Sequence, residues 1–452
     1  MARGFVGLDR ADFPAMPRDL SGARALLRRI YDDAIERVRG QQLVEALGRP
    51  DGDLWRITHA GEVLDWPLPS NGRIVVVGAG KAAASMALGL ESVLGDRIDR
   101  GCIIVKHGHR EPLARIRQFE AGHPLPDAAG VAATRELLST LDGLTEKDCA
   151  IVLLTGGASA LMVAPAEGVT LEEKAAATDL LLRCGASIED INRVRISLSR
   201  IKGGRLLDHI GPASVLTLLI SDVPSGNAEL IGSGPCLPSE RRSGEALEIL
   251  SRYGLRDAVA PSILACLARE DAPAMRYASG RRETLMLADS GTLLEAVSGV
   301  ARCAGLDVRL FDTNFTGPTH EVARAMTTRL RATPRAARPS LLVAAGETTL
   351  RVTGKGSGGR NQEFALVSAL ALSGTEDVVL LAAGTDGTDG PTDAAGAFAD
   401  GTLEPRSHAL GVDPVAMLAR NDSYGLFQQT GDLLRTGPTG TNVMDLVLGL
   451  AF

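Results

Sequence analysis

The sequence predicts an α/β protein with two domains, a doubly wound Rossmann-like domain followed by a smaller α/β domain. Short apolar segments alternate with segments of helical periodicity, a pattern typical of a mostly parallel sheet covered by helices. The 452 residues also exceed what one hydrophobic core usually organises. We therefore expect domains at 1–240 and 241–452, with the functional site in a cleft between them.

The first domain is predicted to contain four buried strands, each bounded by Gly, Pro or Asp. An amphipathic helix that Ser21 can cap precedes them, and we expect it to pack on a sheet. The strands lie at 73–77, 101–105, 150–154 and 214–220. Helical periodicity occupies 81–94, 128–141, 171–184 and 188–199.

The second domain is predicted from a similar alternation. Its strands lie at 307–311, 340–344 and 378–383, and its helices at 292–303, 319–330 and 361–372. Two segments leave the boundary open. The helical pattern at 242–253 fits either domain, and the apolar segment at 442–450 could return to the first.

The composition is that of a folded globular protein, with 45% hydrophobic and 23% charged residues. A net charge of -7 attracts neither a nucleic-acid backbone nor an anionic membrane. The six scattered cysteines fit neither a zinc site nor a disulfide framework. We find no apolar run of signal-peptide or membrane-spanning length, so we expect a cytoplasmic protein.

Glycine, at 51 residues, clusters at the ends of predicted strands. The first cluster, VVVGAGKAAASMA, runs from a strand through Gly78, Gly80 and Lys81 into a helix, a place that favours an anion. Read as G-x-G-x-x-A, it also resembles a dinucleotide fingerprint, with Asp96 and Asp99 near the ribose distance. Lys81 favours phosphoryl chemistry, and the alternative is a solvated lysine on a first helical turn.

Two further strand ends follow. In LLTGGASAL, Gly156, Gly157 and Ser159 form a candidate backbone nest for an anion, and a tight turn is an equally good reading. In SDVPSGNAELIGSGP, Asp222 follows a buried segment directly, where open α/β sheets place functional carboxylates. A helix N-cap is the alternative for Asp222.

The segment GETTLRVTGKGSGGRNQE combines glycines with two cations. Four glycines surround Lys355 and lead to Arg360 at a helix start, namely Gly354, Gly356, Gly358 and Gly359. A charged segment is usually a solvated face, yet this many glycines would destabilise a purely structural segment. We therefore favour a functional loop.

The segment AAGTDGTDGPTDAAGA places Asp386 and Asp389 after an apolar strand. Oxygen-rich loops of this kind suit Mg²⁺, which keeps waters and substrate phosphates in its shell. Turn-forming Asp-Gly pairs are the alternative. The tail adds a polar glycine-rich loop, GPTGTNV, and six such loops indicate one shared site.

These motifs resemble the class II glycerate kinases, the glycerate 2-kinases that carry a MOFRL region. GAGKAA, GHPLPD, LLTGGASAL, IKGGRL, SDVP, IGSGP, GETT, GKGSGGRNQEFAL, AAGTDGTDGPTDAAGA and GPTGTNV occur in the family's order. The resemblance implies two α/β domains, ATP and Mg as cofactors, D-glycerate as acceptor and 2-phosphoglycerate as product. It also implies that Lys81 and Arg360 are important for activity.

Two stretches depart from the family pattern. The family commonly has a basic residue and a histidine inside VRxHLSxxKGG, where this chain has Ile196 and Ser197. After SDVP it has Ser225, Gly226 and Asn227 in place of Gly and acidic or amide residues. If these positions reach the acceptor, the substrate differs.

We therefore predict a kinase for a small hydroxy acid, with ATP and that acid as partners and a homodimer as a compatible assembly. The alternatives are an NAD(P)H-dependent hydroxypyruvate reductase, a kinase for a related sugar acid and a small-anion binding protein. The candidate site residues are the following: catalytic, Lys81, Arg360, Asp222 and Asp386; ligand-binding, Gly78, Gly80, Gly156, Gly157, Ser159, Asn227, Glu347, Lys355, Gly358, Asn361, Thr441 and Asn442; metal-binding, Asp386 and Asp389.

Overall fold

The computed structural model describes residues 10–14, 16–223, 227–237, 244–269 and 280–452. The chain divides into two compact units. The Rossmann-like unit comprises Val44–Ile220 and Asn227–Leu287. The C-terminal unit comprises Met1–Leu43, Ser221–Gly226 and Ala288–Phe452.

The strands and helices follow in chain order. The strands are β1 (Leu54–His59), β2 (Glu62–Pro67), β3 (Ile74–Ala79), β4 (Ile98–Lys106), β5 (Ile116–Ala121), β6 (Cys149–Leu154), β7 (Ser214–Ile220), β8 (Arg282–Ala288), β9 (Asp307–Phe315), β10 (Ser340–Gly346), β11 (Val378–Gly384), β12 (Gly396–Asp400), β13 (Leu433–Leu434) and β14 (Asp445–Ala451). The helices are α1 (Leu20–Arg37), α2 (Gly40–Glu45), α3 (Ala83–Leu94), α4 (Ala128–Thr140), α5 (Ala158–Leu161), α6 (Leu171–Arg183), α7 (Ile188–Ser197), α8 (Arg205–Ile210), α9 (Glu245–Arg252), α10 (Pro261–Leu267), α11 (Ser290–Cys303), α12 (Thr319–Arg331), α13 (Arg360–Ala371), α14 (Leu403–Ala409), α15 (Pro414–Ala419) and α16 (Ser423–Thr430).

The sheet of the Rossmann-like unit has the order β5-β4-β3-β6-β7-β8. The pairs β3–β4, β4–β5, β3–β6 and β6–β7 are parallel. This is the order of dinucleotide-binding folds, with the topological switch point between β3 and β6. The predicted doubly wound sheet is confirmed. Every residue of β3 and β6 is buried, as expected for central strands of a parallel sheet.

The sheet of the C-terminal unit is mixed, in the order β13-β12-β11-β14-β10-β9. Only the β9–β10 pair is parallel among the described pairs, and β14 runs antiparallel between β10 and β11. The C-terminal segment, whose placement the sequence left open, is therefore a central strand of this sheet. In the register, Asp445 at the start of β14 lies opposite both Gly346 and Gly384.

The N-terminal helix α1 belongs to the C-terminal unit, unlike in the predicted division at residue 240. The buried Tyr31 hydroxyl donates to the carbonyl oxygen of Gly384 at 2.9 Å. Arg24 forms ion pairs with Asp400 and Asp432 on the same unit. These contacts join residues more than 350 positions apart, so no local pattern could have indicated them.

The helical pattern at 242–253 becomes α9, which packs with α7 in a core of the Rossmann-like unit. The predicted boundary between residues 240 and 241 lies outside the described residues. In the described part of the chain, no helix has the length and apolar character needed to cross a membrane.

Candidate active site

The turn after β3 closes onto the end of β6. The amide of Gly80 donates to the carbonyl oxygen of Ile104 on β4 at 3.1 Å. The amide of Lys81 donates to the carbonyl oxygen of Gly156, just after β6, at 2.9 Å. The next amide, of Ala82, donates to Oγ1 of Thr155 at 3.1 Å. The backbone donors that a phosphate would need at this turn are therefore already bonded within the protein. The turn is not the anion nest that its glycines suggested.

Gly80 is required by this close approach. Its φ is +135°, and a Cβ there would stand 2.0 Å from Oγ1 of Thr155. Gly78 is similarly confined, since a Cβ would stand 2.3 Å from the carbonyl oxygen of Leu153. Both glycines therefore have a packing reason, and Lys81 is left as the group of this motif with chemistry to offer.

Lys81 lies at the switch point beside Gly157. A Cβ on Gly157 would contact Cγ of Lys81 at 3.4 Å and the ring of His123 at 3.0 Å. The half-buried lysine side chain and this imidazole therefore flank the same glycine. His123 comes from the GHPLPD motif, to which the sequence assigned no role. The structure brings together Lys81, Gly156 and Gly157 as predicted and adds His123.

Ser159 follows in α5 and carries an unexpected set of contacts. Its Oγ accepts hydrogen bonds from Nη2 of Arg195 at 2.7 Å and from Nζ of Lys202. Ile196 and Ser197, where the chain departs from the family pattern, follow Arg195 directly at the end of α7 and are half-buried. The sequence did not single out Arg195 or Lys202.

Arg360 is the first residue of α13 in the C-terminal unit. Its Nε donates to Asp445 at 2.5 Å, its Nη2 donates to the other oxygen of the same carboxylate at 3.0 Å, and its Nη1 donates to Glu347. Glu347 follows β10, and Asp445 begins the antiparallel β14, so both lie at one edge of the sheet. Asp445 is the partner that the sequence missed.

These carboxylates fix the charge of Arg360. Burial alone would lower the pKa of the guanidinium, but Asp445 and then Glu347 outweigh that effect and raise it. The side chain is therefore a permanent cation held in one orientation. Two carboxylates therefore pair with this one guanidinium, which the sequence had not indicated.

Asp389 is buried against the start of α13. Its carboxylate accepts from the amide of Asn361 at 3.1 Å and from the amide and side chain of Gln362 at 2.8 and 3.0 Å. Burial raises the pKa of Asp389 to about 6, against the lowering effect of these amides. The carboxylate thus caps the helix that carries Arg360, and its predicted metal ligation would compete with these bonds.

Asp386 approaches the same sheet edge. Its Oδ1 accepts from the amide and hydroxyl of Thr388 at 2.9 and 3.0 Å. Both this oxygen and Nδ2 of Asn361 lie within 4 Å of the position that a Cβ on Gly384 would occupy. The structure therefore brings Asp386, Asn361 and the Arg360 cluster to one edge of the C-terminal sheet.

A complete protein cage for a metal is not formed there. Among the described residues, no group of three or more His, Cys, Asp or Glu side chains could hold an ion. Mg²⁺ commonly needs only one or two carboxylates, with waters and substrate phosphates completing its shell. Both oxygens of Asp389 already accept hydrogen bonds from α13, so a single carboxylate, Asp386, is the candidate of this loop.

The GKGSGGR loop is held by the segment before α16. The amides of Thr353 and Gly354 donate to Oδ1 of Asn421 at 2.8 and 2.9 Å, and Nδ2 of Asn421 donates to the buried Glu363 at 3.0 Å. A Cβ on Gly358 would stand 2.3 Å from the Ser423 hydroxyl. The glycines therefore have a packing reason, which the sequence argument had rejected.

Other predicted residues lie near the GPTGTNV loop or apart from it. Asp222 accepts from Nδ2 of Asn442 at 2.9 Å, within the C-terminal unit. Thr441 is buried, and its hydroxyl lacks a hydrogen-bond partner among the described residues. Asn227 is exposed and caps the short 3-10 helix Ala228–Ser233. Lys355 is also exposed, and Ser225 and Gly226 lie outside the described residues.

A cavity of about 510 Å³ lies elsewhere in the Rossmann-like unit, beside α4 and the start of α6. It contains none of the predicted site residues. The chemistry is instead concentrated at strand ends, so we do not assign the cavity a role.

Comparison with known proteins identifies the family. Residues 26–268 match a family described as a domain of unknown function, DUF4147, and residues 340–445 match the MOFRL family. The D-glycerate 2-kinase of Thermotoga maritima is 40% identical over 383 residues, covering 84% of this chain and 90% of that protein. This chain belongs to the glycerate 2-kinase family.

Other members of the glycerate 2-kinase family agree with this placement. The glycerate 2-kinase of Pyrococcus horikoshii is 35% identical and covers 84% of this chain and 87% of its own length. The crystal structure of the Thermotoga maritima glycerate kinase has a TM-score of 0.81 at 36% identity, covering 96% of this chain and 100% of that one. A relative from Agrobacterium vitis, 39% identical over 83% of this chain and 98% of its own, is named a putative hydroxypyruvate reductase.

Proposed function

We propose that this family member is an ATP-dependent glycerate 2-kinase, transferring the γ-phosphoryl group of ATP to the 2-hydroxyl of D-glycerate and releasing ADP and 2-phosphoglycerate. One observation carries the proposal. Lys81 stands at the switch point of the Rossmann-like sheet, where such sheets bind ligands, while the amides around it are bonded within the protein. That arrangement offers a point cation for phosphoryl oxygens and no backbone nest for a pyrophosphate.

The chemistry needs positioning and charge stabilisation more than covalent catalysis. The hydroxyl oxygen attacks the γ-phosphorus, the bond to the bridging oxygen of ADP breaks, and the hydroxyl proton leaves to a base. We assign Asp222 as the base. Its Oδ2 is held by Asn442 at 2.9 Å, which orients the carboxylate. Lys81 would contact the oxygens on which negative charge develops.

Arg360 would contribute its remaining N–H donors to phosphoryl oxygens. Three of its five N–H groups are accounted for by Asp445 and Glu347. Asp445 acts through Arg360 as a positioning residue. Among the other loop residues, Glu347, Gly358, Asn361, Thr441 and Asn442 are proposed to lie around the nucleotide.

Mg²⁺, when bound with ATP, would neutralise phosphate charge during transfer. Asp386 is the carboxylate that we propose to hold it, since Asp389 is engaged with α13. The bonds from Thr388 to Oδ1 orient this carboxylate. A cytoplasmic location and a homodimer remain predictions from the sequence.

The reductase is the second candidate, favoured by the dinucleotide-type strand order and by the name of the Agrobacterium vitis relative. Dinucleotide folds place the pyrophosphate on amides at the start of the first helix. Here the amides of Lys81 and Ala82 are bonded to the end of β6. The geometry therefore disfavours this alternative.

Two assays on the purified protein separate the candidates. ADP formation from Mg-ATP with D-glycerate, and oxidation of NADH or NADPH with hydroxypyruvate, are measured in parallel. We expect glycerate-dependent ADP formation, with 2-phosphoglycerate as the product by NMR. Nucleotide oxidation without ADP formation would overturn the proposal, and 3-phosphoglycerate as product would overturn the assigned hydroxyl.

A further inference from the structure

The IKGGRL and IGSGP segments meet at Ser159, although neither has a role in the proposed transfer. The amides of Gly203 and Gly204 donate to the carbonyl oxygens of Ser233 and Gly234 at 3.0 and 2.8 Å. This pairing places the side chain of Lys202 beneath Ser159. All of these residues belong to the Rossmann-like unit.

Lys202 is sealed from solvent, with 2% of its surface exposed. Its Nζ donates to the carbonyl oxygens of Ser159 and Gly232, both at 3.2 Å, and to the Ser159 hydroxyl. Oγ of Ser233 lies at 3.4 Å, so four neutral acceptors surround the three N–H donors. Hydrogen bonding is satisfied, but no carboxylate within the described part of the chain pairs with the ammonium.

Other basic groups add to this uncompensated charge. Arg195 donates to the Ser159 hydroxyl, and Lys174, 7% exposed, donates to the carbonyl oxygen of Leu198 at 2.9 Å. Among the described residues, no carboxylate forms an ion pair with Lys174, Arg195 or Lys202.

Two other arginines of the described chain are paired with buried carboxylates. Arg73 is paired with the buried Asp148 at 2.8 Å, and Arg360 with the buried Asp445 at 2.5 Å. An uncompensated buried charge is costly, and an arriving anion would offset that cost. Burial, then Arg195 and then Lys174 lower the pKa of Lys202 well below its usual value, consistent with a missing counter-ion.

Donors are also available at the accessible side of this cluster. Ser159 and Arg195 are half-buried, so a small ligand can reach them. The guanidinium has five N–H groups, of which one is used in the described contacts. The Ser159 oxygen already accepts from two cations, so its own hydrogen must point elsewhere, either to Ser233 at 3.3 Å or to a ligand.

We propose that Arg195 and Ser159, with Lys202 beneath them, bind the carboxylate of the hydroxy-acid substrate. This inference rests on the proposed function and names the site for one end of its substrate. A guanidinium fork matches a carboxylate in two parallel hydrogen bonds, and a serine hydroxyl can donate a third.

The test compares Arg195→Gln with Arg193→Gln. Arg193 lies two residues away in α7, is exposed and pairs with Glu245 at 3.0 Å, so its replacement removes the same charge without touching Ser159. We expect Arg195→Gln to raise KM for D-glycerate about ten- to hundredfold, as loss of a charged hydrogen bond implies, and to leave KM for ATP within twofold. Arg193→Gln should change neither constant by more than twofold.

Several outcomes would overturn the inference. A raised KM for ATP with an unchanged KM for D-glycerate would assign the cluster to nucleotide phosphate. Unchanged constants for both substrates would remove it as a site. Circular dichroism checks that Arg195→Gln is folded. Ser159→Ala tests the same site independently, and we expect it to raise KM for D-glycerate about tenfold.

A binding measurement keeps this test independent of kinase activity. Thermal stabilisation of the wild type by D-glycerate or tartronate alone, lost in Arg195→Gln and retained in Arg193→Gln, supports the carboxylate site even if no ADP is formed. In that case the proposed function fails and the site stands. Equal stabilisation of the wild type and both variants would refute the site while leaving the kinase assay to decide the function.

Discussion

Asp445 binds the guanidinium of Arg360 through both of its oxygens, accepting from Nε at 2.5 Å and from Nη2 at 3.0 Å. The carboxylate is buried, and it begins the central strand β14. The orientation of this arginine is therefore built into the sheet, and changes at Arg360 have consequences for folding as well as for turnover.

Replacing Arg360 with alanine should destabilise the protein by about 3 kcal/mol, because Asp445 would be left buried without its cation. Turnover should fall by several powers of ten if the guanidinium stabilises the transferring group. Urea unfolding and steady-state ADP formation measure the two effects. The double variant Arg360→Ala with Asp445→Asn should recover part of the stability but no activity. A single variant as stable as the wild type would contradict the structural role of the pair.

Replacing Lys81 should lower activity without lowering the stability of the fold. We expect Lys81→Met to lower kcat a hundredfold or more, with an unfolding free energy close to that of the wild type. The turn is held by backbone bonds and by Thr155. Thr155→Val is the matched control: it removes the acceptor for Ala82 and should cost about 1–2 kcal/mol of stability with a smaller effect on kcat. Near-normal turnover in Lys81→Met would refute the assigned role.

Much of the fold could be predicted because the central strands are continuous apolar segments. β3, β6, β7, β10 and β11 begin and end within about two residues of the predicted segments. The edge strand β5 was missed since half of its sequence, IRQFEA, is polar and only its two ends are buried. The central position of β14 depends on pairing with β10 and β11, which local periodicity does not encode.

Site residues could be predicted where they follow a strand. They were missed where their role depends on a contact with a residue distant in the sequence. Lys81 lies in the turn between β3 and α3, and Arg360 begins α13, so the sequence showed both positions. Asp445 begins an apolar strand and gave no sign of its pairing with Arg360. Arg195 and Lys202 stand out because no described carboxylate pairs with them and both donate to Ser159, which only the three-dimensional arrangement reveals.

Asp389 should make stability depend on pH in an identifiable direction. Its pKa is raised from 3.8 to about 6 in the folded protein, so the native state holds this proton more tightly than the unfolded chain. The stability contributed by that proton is fully present below about pH 4 and is lost as the pH rises through about 6. The free energy of unfolding of the wild type minus that of Asp389→Asn should therefore decrease from pH 4.5 to 7.5.

Asp393→Asn provides the opposite control for this titration. Asp393 is exposed, and the Tyr424 hydroxyl and then Arg435 lower its pKa, so its small contribution is lost as the pH falls. Urea unfolding of the three proteins across the pH range measures both trends. A stability difference for Asp389→Asn that is flat with pH would show that the carboxyl keeps an ordinary pKa.

Ile196 and Ser197 should affect which hydroxy acid the protein prefers as substrate. They follow Arg195 at the end of α7, at the positions where the resemblance found in the sequence implies a basic residue and a histidine. Restoring that pair with Ile196→Lys and Ser197→His adds positive charge beside the proposed carboxylate site. We expect a lower KM for acids with a second carboxylate, such as tartronate, by several-fold relative to D-glycerate, because an added cation favours the dianion.

The measurement is the ratio of kcat/KM for tartronate and D-glycerate in the wild type and the double variant. Ile196→Gln with Ser197→Asn is the control, since it changes size and polarity without adding charge. An equal change of the ratio in both double variants would attribute it to shape. An unchanged ratio in the charged variant would place these positions beyond the reach of the acid, and raising the salt concentration should weaken a genuine charge effect.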